Sequence, residues 1–147
     1  MTTWSLDQRV QQSRKKRGHS LPFDRRSDGI VHYELVHHPI ESSMPERVLA
    51  YEAMMNETTL DEWILRNRIG GRITGREIYL PRTFSVAPLD RDPFNTSCDN
   101  LHCFESKSER MKWNHGKFTL LDNKAKIKEL SVEYSRRQVH QRTHRRT

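Results

Sequence analysis

The stretch 86-VAPLDRDPFNTSCDNLHCFESKSERM-111 decides how the rest of the chain is read. Its apolar opening at Val86 suits a strand, and the polar segment 90–98, with Pro93 and Asn95, suits a loop. After Asn100-Leu101 the chain returns as a short strand. Ser106 and Glu109 then stand three apart, the spacing at which a serine hydroxyl accepts a hydrogen bond from the glutamate N–H and starts a helix. The order is strand, loop, strand, helix. A capped helix after a strand also describes unrelated junctions, so the joint spacing of loop, Asn100-Leu101 and capped helix carries the reading.

Upstream, residues 71–90 predict paired strands, with Ile73, Ile78, Leu80, Phe84 and Val86 as strand formers and Gly75 and Pro81 as breakers. Thr59 with Glu62 predicts a capped helix in which Leu60, Trp63, Ile64 and Asn67 recur at helical spacing before Gly70 and Gly71 stop it. Ser43 with Glu46 forms a further capping pattern, and Pro45 suits a first turn, so a helix is expected over 44–56. Residues 30–40 alternate as a short strand or extended segment, with His37-His38 before Pro39 read as a strand end. Downstream, Leu120, Ile127, Leu130 and Tyr134 fall on a later helix. The sum is a small single α+β domain. Residues 1–28 read as a basic flexible arm, 29–71 as a strand plus helical hairpin, 72–118 as a ββα core, and 119–147 as a C-terminal helix and basic tail.

Composition fits one domain: 147 residues, 33% apolar and 31% charged. No apolar run approaches the ~20 residues that span a bilayer, and the N-terminus lacks the apolar stretch of a signal peptide, so a cytoplasmic protein is expected, in host cytoplasm if the source is viral. The net charge of +7 is unevenly placed. Residues 1–26 carry seven Lys/Arg against two acids, and residues 136–147 carry five Arg and no acid, so the middle is mildly acidic. Cationic ends flanking such a body suit a polyanion, because each Lys or Arg that neutralises a phosphate releases a condensed counterion. The expected partner is nucleic acid, DNA in preference to RNA. Solvated tails that only confer solubility are the plainer alternative. Neither end pairs its charge with an apolar helical face, which argues against a membrane surface.

Cys98 and Cys103 stand five apart, where zinc sites favour two residues between cysteines and a second pair. With His115, and His102 as a fourth donor, they are a weak candidate zinc set. Reduced thiols are the expected state.

The residues 86–111 resemble the HNH endonucleases, in particular the small phage and intron-encoded homing-type members. There a Val-His-His-Ile-Asp stretch leads through a polar loop to Asp-Asn-Leu and then to a Thr-x-x-Glu-Asn helix start. Val86, Leu89, Asp90, Pro93, Asn95, Asp99, Asn100 and Leu101 fall on matching positions, and Ser106, Glu109 and Met111 match the helix start after one inserted residue. The resemblance implies a ββα fold in which a base and a divalent ion, Mg²⁺ or Mn²⁺, meet one phosphate. The retained positions are structural: Asn100 ties the loop, Leu101 fills the core, and Ser106 with Glu109 caps the helix. The departures fall on chemistry. Ala87 and Pro88 stand in place of the two histidines and Arg110 in place of the metal-binding helix asparagine. Loss of the base alone removes a factor of ~10² to 10⁴, whereas an arginine can contact a phosphate directly. The expectation is a protein that binds without cutting, with His102, His115 and Asp90 as weak catalytic candidates should another residue take over the base.

A competing motif lies in residues 47–67. Ala50, Met54, Leu60 and Trp63 have the spacing of the buried positions of a helix-turn-helix, although any helical hairpin shares it. On that reading Arg66, Asn67, Arg68 and Arg72 face the DNA. The phosphate contacts expected otherwise are Arg14, Lys15, Lys16, Arg17, Arg110, Lys112, Arg136, Arg137, Arg145 and Arg146, with Trp113 able to stack one base. Three classes stay open: a DNA-binding regulator of phage type, acting on transcription and contacting a host protein such as RNA polymerase; a metal-dependent nuclease; and a structural nucleoprotein component.

Overall fold

A helix forms where its first N–H groups find an acceptor and its apolar residues share one face. The computed structural model describes residues 25–27, 30–40, 43–69, 74–92, 95–116 and 123–145. Its elements are β1 (Arg25–Ser27), β2 (Ile30–Glu34), β3 (Ser43–Pro45), α1 (Glu46–Met55), α2 (Leu60–Arg68), β4 (Ser85–Pro88), a 3-10 turn (Cys98–Asn100), β5 (Leu101–Phe104), α3 (Lys107–Asn114) and α4 (Lys124–Arg145). The small α+β class and the hairpin-then-helix order across residues 85–114 are both present. No helix among the described residues is long and apolar enough to cross a membrane.

Two of the three capping patterns form. Thr59 Oγ1 accepts from Glu62 N at 3.2 Å and Ser106 Oγ accepts from Glu109 N at 3.1 Å, so α2 and α3 start as their sequences dictate. The Ser43–Glu46 box does not form. Residues 43–45 pair antiparallel with β2 instead, opposite residues 32–34, and α1 begins on Pro45 without a side-chain cap. The Glu46 carboxylate is buried and accepts from Tyr33 Oη at 2.7 Å and Thr96 Oγ1 at 3.3 Å, partners that sequence spacing does not reveal. Residues 25–27, within the stretch expected as an arm, form the outer strand β1 beside β2. Likewise α4 continues through Arg145, so the C-terminal basic stretch is helical up to that residue.

The expected strand pairing of residues 71–84 is also replaced, among the described residues, by something else. From Thr74 to Phe84 the chain is irregular, and backbone groups of residues 78–80 are satisfied by side chains of α1, of its C-cap residue and of α4. Asn56, just after α1, accepts from Ile78 N at 2.8 Å and donates to Ile78 O at 2.8 Å; Leu80 N donates to Glu52 at 2.8 Å, and Tyr79 N donates to Ser135 Oγ at 2.7 Å. The β-forming letters are there because Tyr79 and Leu80 are buried, not because they pair with a strand.

One apolar cluster joins these parts: Tyr33 from the three-stranded sheet and Leu35 just after β2, Leu49 from α1, Trp63 and Ile64 from α2, Val86, Leu101 and Cys103 from the hairpin, and Ile127 from α4. The helical spacing of Leu60, Trp63, Ile64 and Asn67 is thus a core face, Asn67 included. At its centre Glu52, fully buried, accepts from Trp63 Nε1 at 3.3 Å as well as from Leu80 N, and its carboxylate lies 3.0 Å from His38 Nε2. The second histidine of the His37-His38 pair is therefore a core residue of the fold.

Candidate nucleic-acid interface

Cross-strand partners in a hairpin share a face, and β4 pairs with β5 in the register Ser85 with Phe104, Val86 with Cys103, Ala87 with His102 and Pro88 with Leu101. Val86, Cys103 and Leu101 therefore enter the core. Ser85, Ala87, His102 and Phe104 occupy the other face, and α3 lies across it: Trp113 packs on Phe104 with centroids 5.6 Å apart, and Arg110 Nη1 donates to Ser85 Oγ at 3.2 Å. No residue of α3 is fully buried, and Met111 is 53% exposed, so the helix presents most of its surface outward.

The loop between the strands is held as the retained residues require. Asn100 Oδ1 accepts from Asp90 N at 3.0 Å, while its Nδ2 donates to Asp90 Oδ1 at 2.9 Å and Asn95 O at 3.0 Å. Asp90 Oδ2 takes Asn95 Nδ2 at 2.8 Å, which commits both carboxylate oxygens to the loop. Asn100→Ala removes three of these bonds. It is expected to lower stability by about 1 kcal/mol, read as a lower midpoint in urea, with faster proteolytic cleavage within residues 89–97; an unchanged midpoint and cleavage rate would deny Asn100 this role.

The divalent ion implied by the HNH resemblance finds no donors here. Ala87 and Pro88 carry no ligand atom, and the helix position is the cation Arg110. His102 sits opposite Ala87, half-buried and edge-on to Phe104 at 4.6 Å, but Asp90 is spent on the loop and His115 is exposed at the end of α3. Cys103 is fully buried, and burial with the nearby Glu105 charge pushes its thiol pKa well up, so it behaves as an apolar core group. Among the described residues no three of His, Cys, Asp and Glu assemble into a metal-holding group. Among the described residues, which leave out the Cys98 side chain, the donors present do not assemble a site for the divalent ion or for zinc.

Cations gather on this side of the hairpin instead. Arg47, from α1, donates Nε–H to Val86 O at 2.9 Å, on the strand whose neighbouring Ser85 holds Arg110. The two guanidiniums are close enough to repel. Burial, and then the Arg110 charge, pull the Arg47 pKa down to about 10, and burial lowers that of Arg110. Lys107, the first residue of α3, lies against the same surface. Among the described residues none of the three is in an ion pair with a carboxylate. Sequence reading found Arg110 through its place in the motif but missed Arg47 and Lys107. Arg47 reaches the site only because α1 packs on β4, a contact 39 residues apart in the chain.

The other expected contacts are dispersed. Arg66 lies over the Trp63 ring at 5.7 Å, and Arg68 over Tyr33 at 5.4 Å with Nε–H donated to Glu34 O. Asn67 is fully buried and donates to Trp63 O, so it cannot face DNA, and the α2 recognition surface of the helix-turn-helix reading loses its base-reading amide. Trp113 already contacts Phe104 and the Arg91 guanidinium, which leaves less ring for a stacked base. Lys112 is exposed on α3 and Arg136 on α4, while Arg137 pairs with Glu133 at 2.5 Å. Arg14, Lys15, Lys16, Arg17, Arg72 and Arg146 lie outside the described residues, as do the side chains of Cys98 and Arg145. No family model, curated protein or solved structure matches the chain.

Proposed function

We propose that the chain binds nucleic acid, DNA in preference to RNA, through an HNH-like ββα unit that grips phosphate where a nuclease of that family would hold its metal. The observation that carries this reading is Arg110, seated on Ser85 beside Arg47 with no carboxylate partner among the described residues. Like charges held together and partly removed from water destabilise the free protein, and an anion between them relieves both costs. Arginine suits the task because its planar fork donates two parallel hydrogen bonds to phosphate oxygens.

The test is a set of binding isotherms for duplex DNA, single-stranded DNA and RNA of one sequence at two salt concentrations. Duplex DNA is expected to bind tightest, with affinity falling steeply as salt rises. A flat salt dependence would transfer the reading to a protein partner, such as a host polymerase. Supercoiled plasmid incubated with Mg²⁺ or Mn²⁺ at high protein concentration is expected to stay intact. Nicking that disappears in His102→Ala would install a cutting activity in place of simple binding.

A further inference from the structure

The cations of the hairpin face also line a cavity of about 310 Å³ between α1, β4 and α3. Arg47, Arg82, Lys107 and Arg110 supply its charge, Arg82 while donating to Ile40 O at 2.7 Å, and no acidic residue lines it among the described residues. Met44, Val48, Leu80 and Phe84 supply apolar wall. Ser85 lies where these meet, and because its Oγ accepts from Arg110, its own O–H remains able to donate to a ligand.

We propose that this cavity binds a phosphate monoester, namely the phosphorylated end of a nucleic-acid strand, with the terminal nucleotide against the apolar wall. The choice of a strand as the source rests on the nucleic-acid reading above; the anion chemistry does not. Three observations narrow the ligand. The first is charge, since a monoester carries about −1.5 to −2 at neutral pH against a single charge on an internal phosphodiester, and Arg47, Lys107 and Arg110, with no carboxylate partner among the described residues, favour the greater charge. The second is access. Internal phosphates lie on the outer edge of a duplex with chain continuing on both sides, so they meet a surface, whereas a strand end can enter a walled cavity. The third is size, because the volume lies at the low end of the ~300–1,000 Å³ typical of small-molecule pockets, suited to a nucleotide and larger than a bare phosphate group needs.

The experiment uses the full chain and one oligonucleotide duplex, dye-labelled away from the end tested, carrying a 5′-phosphate, a 3′-phosphate or hydroxyls only. A phosphorylated end is expected to bind about ten- to a hundredfold tighter than the hydroxyl end, the span expected for charge-assisted hydrogen bonds. Arg47→Met is expected to abolish that difference. Lys107→Ala, at an exposed position where the fold is not at risk, should reduce it severalfold. Equal binding of all three ends with strong salt dependence would overturn the strand-end site while leaving general nucleic-acid binding in place. No binding by any of them would instead remove the nucleic-acid reading and, with it, the strand as source. A free deoxynucleoside monophosphate that binds as tightly as the phosphorylated duplex would likewise overturn the strand end in favour of a mononucleotide site. If neither it nor inorganic phosphate raises the melting temperature and the three duplex ends bind alike, the cavity is not an anion site.

Discussion

Arg110→Ala is expected to weaken duplex DNA binding by about ten- to a hundredfold, the loss of one or two hydrogen bonds between charged groups, and to lower the salt slope by about one. The melting temperature should hold. Among the described residues Arg110 makes one side-chain hydrogen bond, to Ser85, and its charge presses on Arg47, so its removal relieves a repulsion while it deletes a contact. This pairing of effects separates a binding residue from a structural one. Arg110→Lys, which keeps the charge but not the planar fork, is expected to recover part of the affinity. The pH dependence follows from Arg47. Its pKa sits near 10, so it stays charged and binding stays level from pH 7 to about 9, then falls as the pH approaches 10 and the proton leaves. A variant that binds DNA with unchanged affinity and salt slope would place the contact surface elsewhere, on the basic ends.

What could be read in the sequence was what depends on neighbours within a few residues. The Ser106–Glu109 and Thr59–Glu62 boxes formed because capping is decided by two side chains and three backbone N–H groups. Asn100 tied its loop because Asp90 and Asn95 are brought to it by the turn itself. The failures have the opposite character. Ser43 and Glu46 have the right spacing, but β2 takes the backbone of residues 43–45 and Tyr33 takes the glutamate. Residues 78–80 are strand-like in composition, yet their hydrogen-bond partners are Asn56, Glu52 and Ser135, the last 56 residues away from Tyr79. The candidate site divides in the same way. Arg110 was visible because it interrupts a local pattern, while Arg47 belongs to the site only through tertiary packing, and no spacing rule points to it.

Glu52→Ala is expected to cost about 3–5 kcal/mol, the range for removing one member of a buried, hydrogen-bonded charged group. Set against the ~5–15 kcal/mol by which a domain of this kind is stable, that is enough to unfold much of the population on mild heating. The reason is that Glu52 satisfies three donors from three parts of the chain: Trp63 Nε1 on α2, Leu80 N in the irregular segment, and His38 Nε2 before Ile40, in the geometry observed. Alanine leaves all three buried without an acceptor. Glu52→Gln keeps the shape but turns an NH₂ group toward a cluster that donates, so it should recover little of the loss. Urea denaturation followed by tryptophan fluorescence measures both variants, and a Glu52→Ala protein with a near-native midpoint would show that the network contributes nothing to the fold. The functional consequence then distinguishes the two substitutions. Because α1 carries Glu52 inward and Arg47 toward β4, loosening the network frees Arg47 from Val86 O. Glu52→Ala should therefore lose DNA binding only as it unfolds, in step with the melting curve, whereas Arg110→Ala loses it with the fold intact.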